Sequence, residues 1–293
     1  MPVEKEIVDR TSAAHGIGGR AELMAASGMV NEAWMLDDRF VLRITILEDA
    51  ADEADREAWV VPIARAAGVR SPELIVADTS RSLVEFPYTI YERAMGELLG
   101  HLPSDPAEFL PTYRELGREM ALLHTIEIPE DDRPRLHKSF TYVDIAKVVK
   151  MRECGKINAV EACEIENWIV RLNELIGDRS RRAFLHQDIH PWNLFVDPET
   201  KQLTAIIDWG DAAWGDPAGE FSSMPLTAMP EMFVGYEEAG GIIDESMKAR
   251  ALIFGLGLEM WELRELDPGR FSRQWWRHRS MDSTRRSQFS TRF

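Results

Sequence analysis

The chain has 293 residues, about two ordinary domains, and 45% of them are apolar, enough to bury a globular core. Its two cysteines, Cys154 and Cys163, imply no disulfide framework and favour a reducing compartment. There is no apolar leader at the start and no run of about 18 apolar residues, so a cytoplasmic protein away from membranes is expected. The net charge of −16 divides into −22 before residue 270 and +6 in the arginine-rich tail 270–293. An acidic body of that kind disfavours nucleic acid and suits either cationic ligands or simple solubility.

In chain order, residues 4–14 read as a helix. Residues 20–47 read as three strands joined by tight turns at Ser27-Gly28-Met29-Val30-Asn31 and Leu36-Asp37-Asp38-Arg39-Phe40. A second helix is predicted over 48–67, stopped by Gly68 and bent or broken at Pro62, where the chain lacks a backbone donor. Two further strands, 73–77 and 89–91, flank a Ser-rich turn. An amphipathic helix follows over 107–127, with Leu116, Met120, Leu123 and His124 on one face and His124 read as a packed structural histidine. Residues 129–140 read as loop and 141–176 as two helices broken near Gly155. The helices 228–240 and 245–266 follow later, the last with Glu259, Glu262 and Glu265 at spacings of three.

The informative stretch is 185–212, LHQDIHPWNLFVDPETKQLTAIIDWGDA. Two short apolar runs around Asp197-Pro198-Glu199-Thr200-Lys201 read as a hairpin, which brings Asn193, just before one strand, beside Asp208, just after the other. Phosphoryl transfer requires a carboxylate to orient and deprotonate a hydroxyl, and hard oxygen ligands for Mg²⁺ on the nucleotide phosphates. Asp188 suits the first task and Asn193 with Asp208 the second, in the kinase order H-x-D-x-x-x-x-N then I-D. Two plainer readings compete. The polar residues could merely cap turns, or His186, Asp188, His190 and Asp208 could hold a transition metal, which would leave Asn193 without a purpose.

The matched positions His186, Asp188, His190, Pro191 and Asn193, then Ile207-Asp208-Trp209 and Gly215-Asp216-Pro217, resemble the aminoglycoside phosphotransferase family of small-molecule kinases. Gln187 and Trp192 replace glycines usual in that family. The resemblance covers about residues 20–270 and implies an α+β, protein-kinase-like two-lobe fold. Lobe 1–94, with its antiparallel sheet, would bind nucleotide, and lobe 95–293, mostly helical, would hold the catalytic groups and the acceptor. It implies that the Ser27-Gly28 turn covers the phosphates. Arg43 would stand where a lysine is usual, with Glu57 as its ion-pair partner and Glu53 as fallback, since no lysine lies between Lys5 and Lys138. It implies that backbone near Glu92 and Ala94 meets the purine, that His186 packs under the loop, and that Asp216 braces it. The family often has Asp where Glu220 stands.

The expected activity is therefore ATP- or GTP-dependent, Mg²⁺-assisted O-phosphorylation of a small molecule. The expected acceptor is antibiotic-like, and the acidic body leans toward a cationic one. A metabolic alcohol such as choline or homoserine, or a nucleotide-binding regulator with little transfer activity, stand as alternatives. No nucleic-acid or membrane partner is expected, and either a monomer or a homodimer.

Overall fold

A computed structural model describes residues 3–24, 31–47, 51–102, 105–139, 143–177 and 181–265. The Ser27-Gly28 turn and the tail from Arg270 fall outside the described residues, as do the side chains of Glu259, Glu262 and Glu265.

The first half builds a five-stranded antiparallel sheet in the order β1-β2-β3-β5-β4, from β1 (Ala21–Leu23), β2 (Asn31–Leu36), β3 (Phe40–Thr45), β4 (Leu74–Asp78) and β5 (Tyr88–Glu92). Successive strand residues face opposite sides of a sheet. Trp34, Leu36, Leu42, Ile44, Tyr88 and Ile90 therefore share one buried face, closed by Val8 of α1 (Lys5–Ala14). Arg43 and its cross-strand partner Thr89 take the other face, toward α2 (Ala51–Ala66).

The expected break at Pro62 does not occur, since α2 runs unbroken to Ala66. Pro62 lies on the exposed side, while Val60, Val61 and Ala64 are fully buried in the main core. Burial of that face outweighs one missing hydrogen bond.

After β6 (Glu97–Leu98) the chain becomes mostly helical, with α3 (Leu110–Leu123), α4 (Ile145–Glu153), α5 (Ala159–Leu175), α6 (Met229–Glu238) and α7 (Glu245–Glu265). The expected loop 129–140 contains one 3₁₀ segment, Glu130–Arg135. α3 and α6 cross at two glycines. A Cβ on Gly117 would stand 2.0 Å from Met232 O, and one on Gly235 1.8 Å from Arg114 O. α4, α5 and α7 share a second apolar cluster around Val148, Ile169 and Ile253.

Four short strands carry the informative stretch. β8 (Leu194–Val196) and β9 (Leu203–Ile206) form the predicted hairpin, and β6 adds to the β8 side. Asp197 Oδ1 holds the hairpin turn by accepting from Glu199 N and Thr200 N at 2.8 and 2.9 Å. β7 (Ala183–Leu185) pairs with β10 (Ala213–Gly215), so the segment leaving Asp208 is drawn back alongside the segment entering the loop. The outcome is a two-lobed α+β fold with the five-stranded antiparallel sheet, α1 and α2 in one lobe and most of the helices in the other. Among the described residues no helix is long and apolar enough to cross a membrane.

Candidate active site

The loop between β7 and β8 is built around Asp188. Asn193 Nδ2 donates to the Asp188 backbone oxygen at 2.9 Å and to Oδ2 at 2.9 Å, and His190 Nε2 lies 3.1 Å from that same Oδ2. Ile207 N donates to Asn193 O at 3.0 Å, which seats the end of β9 against the loop and delivers Asp208 next to Asn193. The hairpin therefore brings Asp188, Asn193 and Asp208 together, as their spacing predicts.

Asp208 sits in the left-handed region, with φ 70° and ψ 67°, a conformation uncommon for a residue with a side chain. Its Oδ1 accepts from Arg43 Nη2 at 2.7 Å. Arg43 Nη1 donates to Glu57 Oε1 at 2.7 Å, and Tyr91 donates its hydroxyl to the other Glu57 oxygen at 2.6 Å. Of the two candidate glutamates on α2, Glu57 is the one Arg43 engages. Burial works against the charge on Arg43, but Glu57 and Asp208 outweigh it, and the guanidinium is held protonated well above its ordinary value. Burial likewise pushes Glu57 upward, opposed by Arg43.

Glu53, one turn earlier, packs on Gly210, where an added Cβ would approach Glu53 Cβ to 3.2 Å. Burial, then the charges of Asp208 and Asp211, raise Glu53 to about 7, and Asp211 is raised by burial and by Asp188. Carboxylates that push one another's proton affinity up mark a region short of positive charge. The donor set fits a hard divalent cation: Asp208 and Asn193 offer only oxygen toward it, because the Asn193 amide nitrogen is committed to Asp188. Among the described residues no group of three or more His, Cys, Asp or Glu is placed to hold a metal ion.

His186 is fully buried under the loop. Its Nε2 donates to Ile207 O at 3.0 Å, its Nδ1 faces Asp188 N at 3.3 Å, and its ring lies 4.5 Å from that of Trp209. Burial lowers its pKa to about 4, so it is a neutral structural ring. His124 is half-buried, with its Nδ1 2.9 Å from the Tyr236 hydroxyl.

Glu220 braces the catalytic-loop candidate directly. Its two oxygens accept His186 N at 3.0 Å and Gln187 N at 2.6 Å. Asp216 instead caps the short helix Pro217–Phe221 through Ala218 N and pairs with Arg250 of α7 at 3.0 Å. The G-D-P-x-x-E spacing held the signal for Glu220, but nothing in the sequence pointed to Arg250 or Tyr91.

Gln187 and Trp192, where glycines are usual in the resembling family, both fit. Gln187 adopts φ 71° and buries its amide against Lys138 O at 3.1 Å. Trp192 covers Gly100, where a Cβ would fall 2.4 Å from the indole, and meets the edge of His101. At the connection between lobes, Glu92 N and Arg93 N are spent within the sheet on Glu73 O and Arg39 O. Ala94 N makes no backbone hydrogen bond among the described residues.

A family model described as the phosphotransferase enzyme family matches residues 24–252. Acyl-CoA dehydrogenase family member 10 of Mus musculus is 22% identical over 214 residues, covering 69% of this chain and 20% of that protein. The chain thus spans about a fifth of the length of that curated relative. Among solved structures, the fold is similar to the GDP complex of a mutant aminoglycoside 2′-phosphotransferase-IIIa, with TM-score 0.66, 16% identity, and 99% and 96% of the two chains covered. It is similar also to a type I macrolide 2′-phosphotransferase, with TM-score 0.65, 19% identity and 94% and 96% covered. Macrolide 2′-phosphotransferase MphH from Brachybacterium faecium gives TM-score 0.64, 17% identity and 88% and 91% covered.

Proposed function

The chain belongs to the phosphotransferase enzyme family, and from that premise we propose that it is a small-molecule kinase moving the γ-phosphoryl group of ATP or GTP to a hydroxyl of a small acceptor. The observation that carries this reading is the convergence of Asp188, Asn193 and Asp208, with Arg43 reaching Asp208 from the sheet.

Each residue then has a task. Asp188 orients the acceptor hydroxyl and takes its proton as the oxygen attacks phosphorus. Asn193 and Asp208 would hold Mg²⁺, which when bound neutralises charge on the nucleotide phosphates. Arg43, set in place by Glu57, grips phosphate oxygens with the two-pronged geometry a lysine lacks. Glu220 and His186 keep the loop in shape without touching the reaction. The Ser27-Gly28 turn would cover the phosphates, and backbone at Glu92 and Ala94 would meet the base, with the lobes dividing near residue 94.

Crowded carboxylates beside Asp188 favour a cationic acceptor. The aminoglycoside and macrolide phosphotransferases of similar fold suggest an antibiotic-like one. The test is to incubate the protein with ATP or GTP, Mg²⁺ and a panel of antibiotics and metabolic alcohols, and to look by mass spectrometry for one added phosphate. Asp188→Ala should abolish the product while leaving nucleotide affinity nearly intact; product formed at an undiminished rate would overturn the assignment.

A further inference from the structure

His190 has no task in the scheme above, yet it stands on the reactive carboxylate. Its backbone is extended, φ −153° and ψ 166°, as the following Pro191 requires, and it opens the short helix Pro191–Asn193. Trp192 N donates to His190 Nδ1 at 3.2 Å, and His190 Nε2 lies 3.1 Å from Asp188 Oδ2. A backbone N–H can only donate, so Nδ1 must carry the lone pair. A neutral imidazole has one of each, so Nε2 must carry the hydrogen, and it points at the carboxylate. Asn193 Nδ2, 3.3 Å from Nε2, cannot then bond to the ring, and its two hydrogens go to Asp188 O and Oδ2. Two donors therefore converge on one oxygen of Asp188, which fixes the plane of the carboxylate.

Resting on the reading of Asp188 as the base, we propose that His190 is a positioning residue: its Nε2–H, with the tautomer set by the Trp192 backbone, pins Asp188 Oδ2 and so fixes the orientation of the carboxylate that takes the acceptor's proton. A reacting group displaced by about 1 Å can lose a factor of about 100 in rate, so a rigid carboxylate is worth having. The same ring also caps a helix, and the two roles can be separated chemically. His190→Asn keeps a side-chain acceptor for Trp192 N–H but loses the donor at the Nε2 position. His190→Gln places an amide N–H near Nε2 but caps poorly.

The test uses the full chain with ¹⁵N-labelled histidine rings, His190 being assigned by its loss in His190→Asn. At about pH 8 the His190 ring should show a protonated Nε2 and an unprotonated Nδ1, and Asp188→Asn should move the Nε2 signal. A protonated Nδ1, or a ring indifferent to Asp188→Asn, overturns the inference. In MgATP turnover, His190→Asn should lower kcat about 10- to 100-fold with KM for ATP within about twofold, and His190→Gln should recover most of the loss. Equal losses in both variants, or an unchanged kcat in His190→Asn, would leave only a cap. Wild-type MgATP turnover by Asp188→Asn would remove the base reading instead, while the ring spectrum would still stand or fall by itself.

Discussion

Arg43 Nη2 meets Asp208 Oδ1 at 2.7 Å across 165 positions of sequence, and the same guanidinium holds Glu57 at 2.7 Å. One side chain on β3 thus joins the sheet, α2 and the end of the β8–β9 hairpin. The two halves differ in kind. The Glu57 side chain is 4% exposed and that of Asp208 42%, so the first pair carries the stability and the second is largely screened. Arg43→Ala leaves Glu57 buried beside only the Tyr91 hydroxyl and should cost about 3–5 kcal/mol in chemical denaturation. Arg43→Lys keeps a charge for Glu57 but cannot fork to both carboxylates, and should cost less than half as much. A loss below about 1 kcal/mol for Arg43→Ala would mean that Glu57 is not ionised there.

Glu220 supplies a pH-dependent prediction. Burial raises its pKa from an ordinary value to about 7, against the two backbone N–H groups that favour its charge. A raised carboxylate binds its proton more tightly folded than unfolded. Between about pH 4.5 and 7 the native state therefore holds the extra proton, and stability falls as pH rises through that window. Shown as the difference between wild type and Glu220→Gln, which removes other titrating groups from the comparison, the decline should be about 3 kcal/mol. The glutamine also turns one N–H toward a backbone N–H and should sit about 1–3 kcal/mol lower near pH 5. Unfolding curves at several pH values decide this, and parallel curves for the two proteins would refute it.

The convergence of Asp188, Asn193 and Asp208 was legible because it lies in one local run, where spacing and hairpin periodicity fix geometry. Arg43 and Glu57 were legible once the strand and helix around them were placed. Long-range partners were not. Tyr91 on Glu57 and Arg250 on Asp216 join segments that no local pattern relates, and the G-D-P-x-x-E spacing marks Glu220 without showing the His186 and Gln187 amides it holds. Pro62 does not break α2, for the opposite reason. Its local penalty is real, but tertiary burial of Val60, Val61 and Ala64 overrides it.

The crossing of α3 and α6 rests on the absence of two side chains. Gly235 → Arg114 O and Gly117 → Met232 O are backbone-to-helix approaches, so a Cβ at either site meets a carbonyl that cannot rotate away. Gly235→Ala should push the helices apart and cost about 1–3 kcal/mol or more, despite the better helix propensity of alanine. The His124–Tyr236 contact at 2.9 Å lies in the same interface and should lengthen with it. Gly255→Ala on α7, whose nearest neighbour across is 3.7 Å away, is the control and should be neutral or slightly stabilising. Equal melting temperatures for the two variants would contradict the close approach.

Gln187 tests whether the loop conformation or the side chain matters more where the family uses glycine. Its φ of 71° costs a residue with a Cβ about 1–2 kcal/mol, which glycine does not incur. In return Nε2 donates to Lys138 O at 3.1 Å, while Oε1 is buried with no hydrogen-bond partner among the described residues. Gln187→Ala keeps the backbone strain and loses the bond, so it should be the least stable of the three. Gln187→Gly loses the same bond but relieves the strain, and should exceed Gln187→Ala by about 1 kcal/mol and lie close to wild type. In both variants amide exchange at residues 137–139 should quicken, because the side chain that ties this segment to the loop between β7 and β8 is gone. Urea denaturation gives the order directly, and a glycine variant less stable than the alanine one would show that the left-handed backbone at 187 carries no strain.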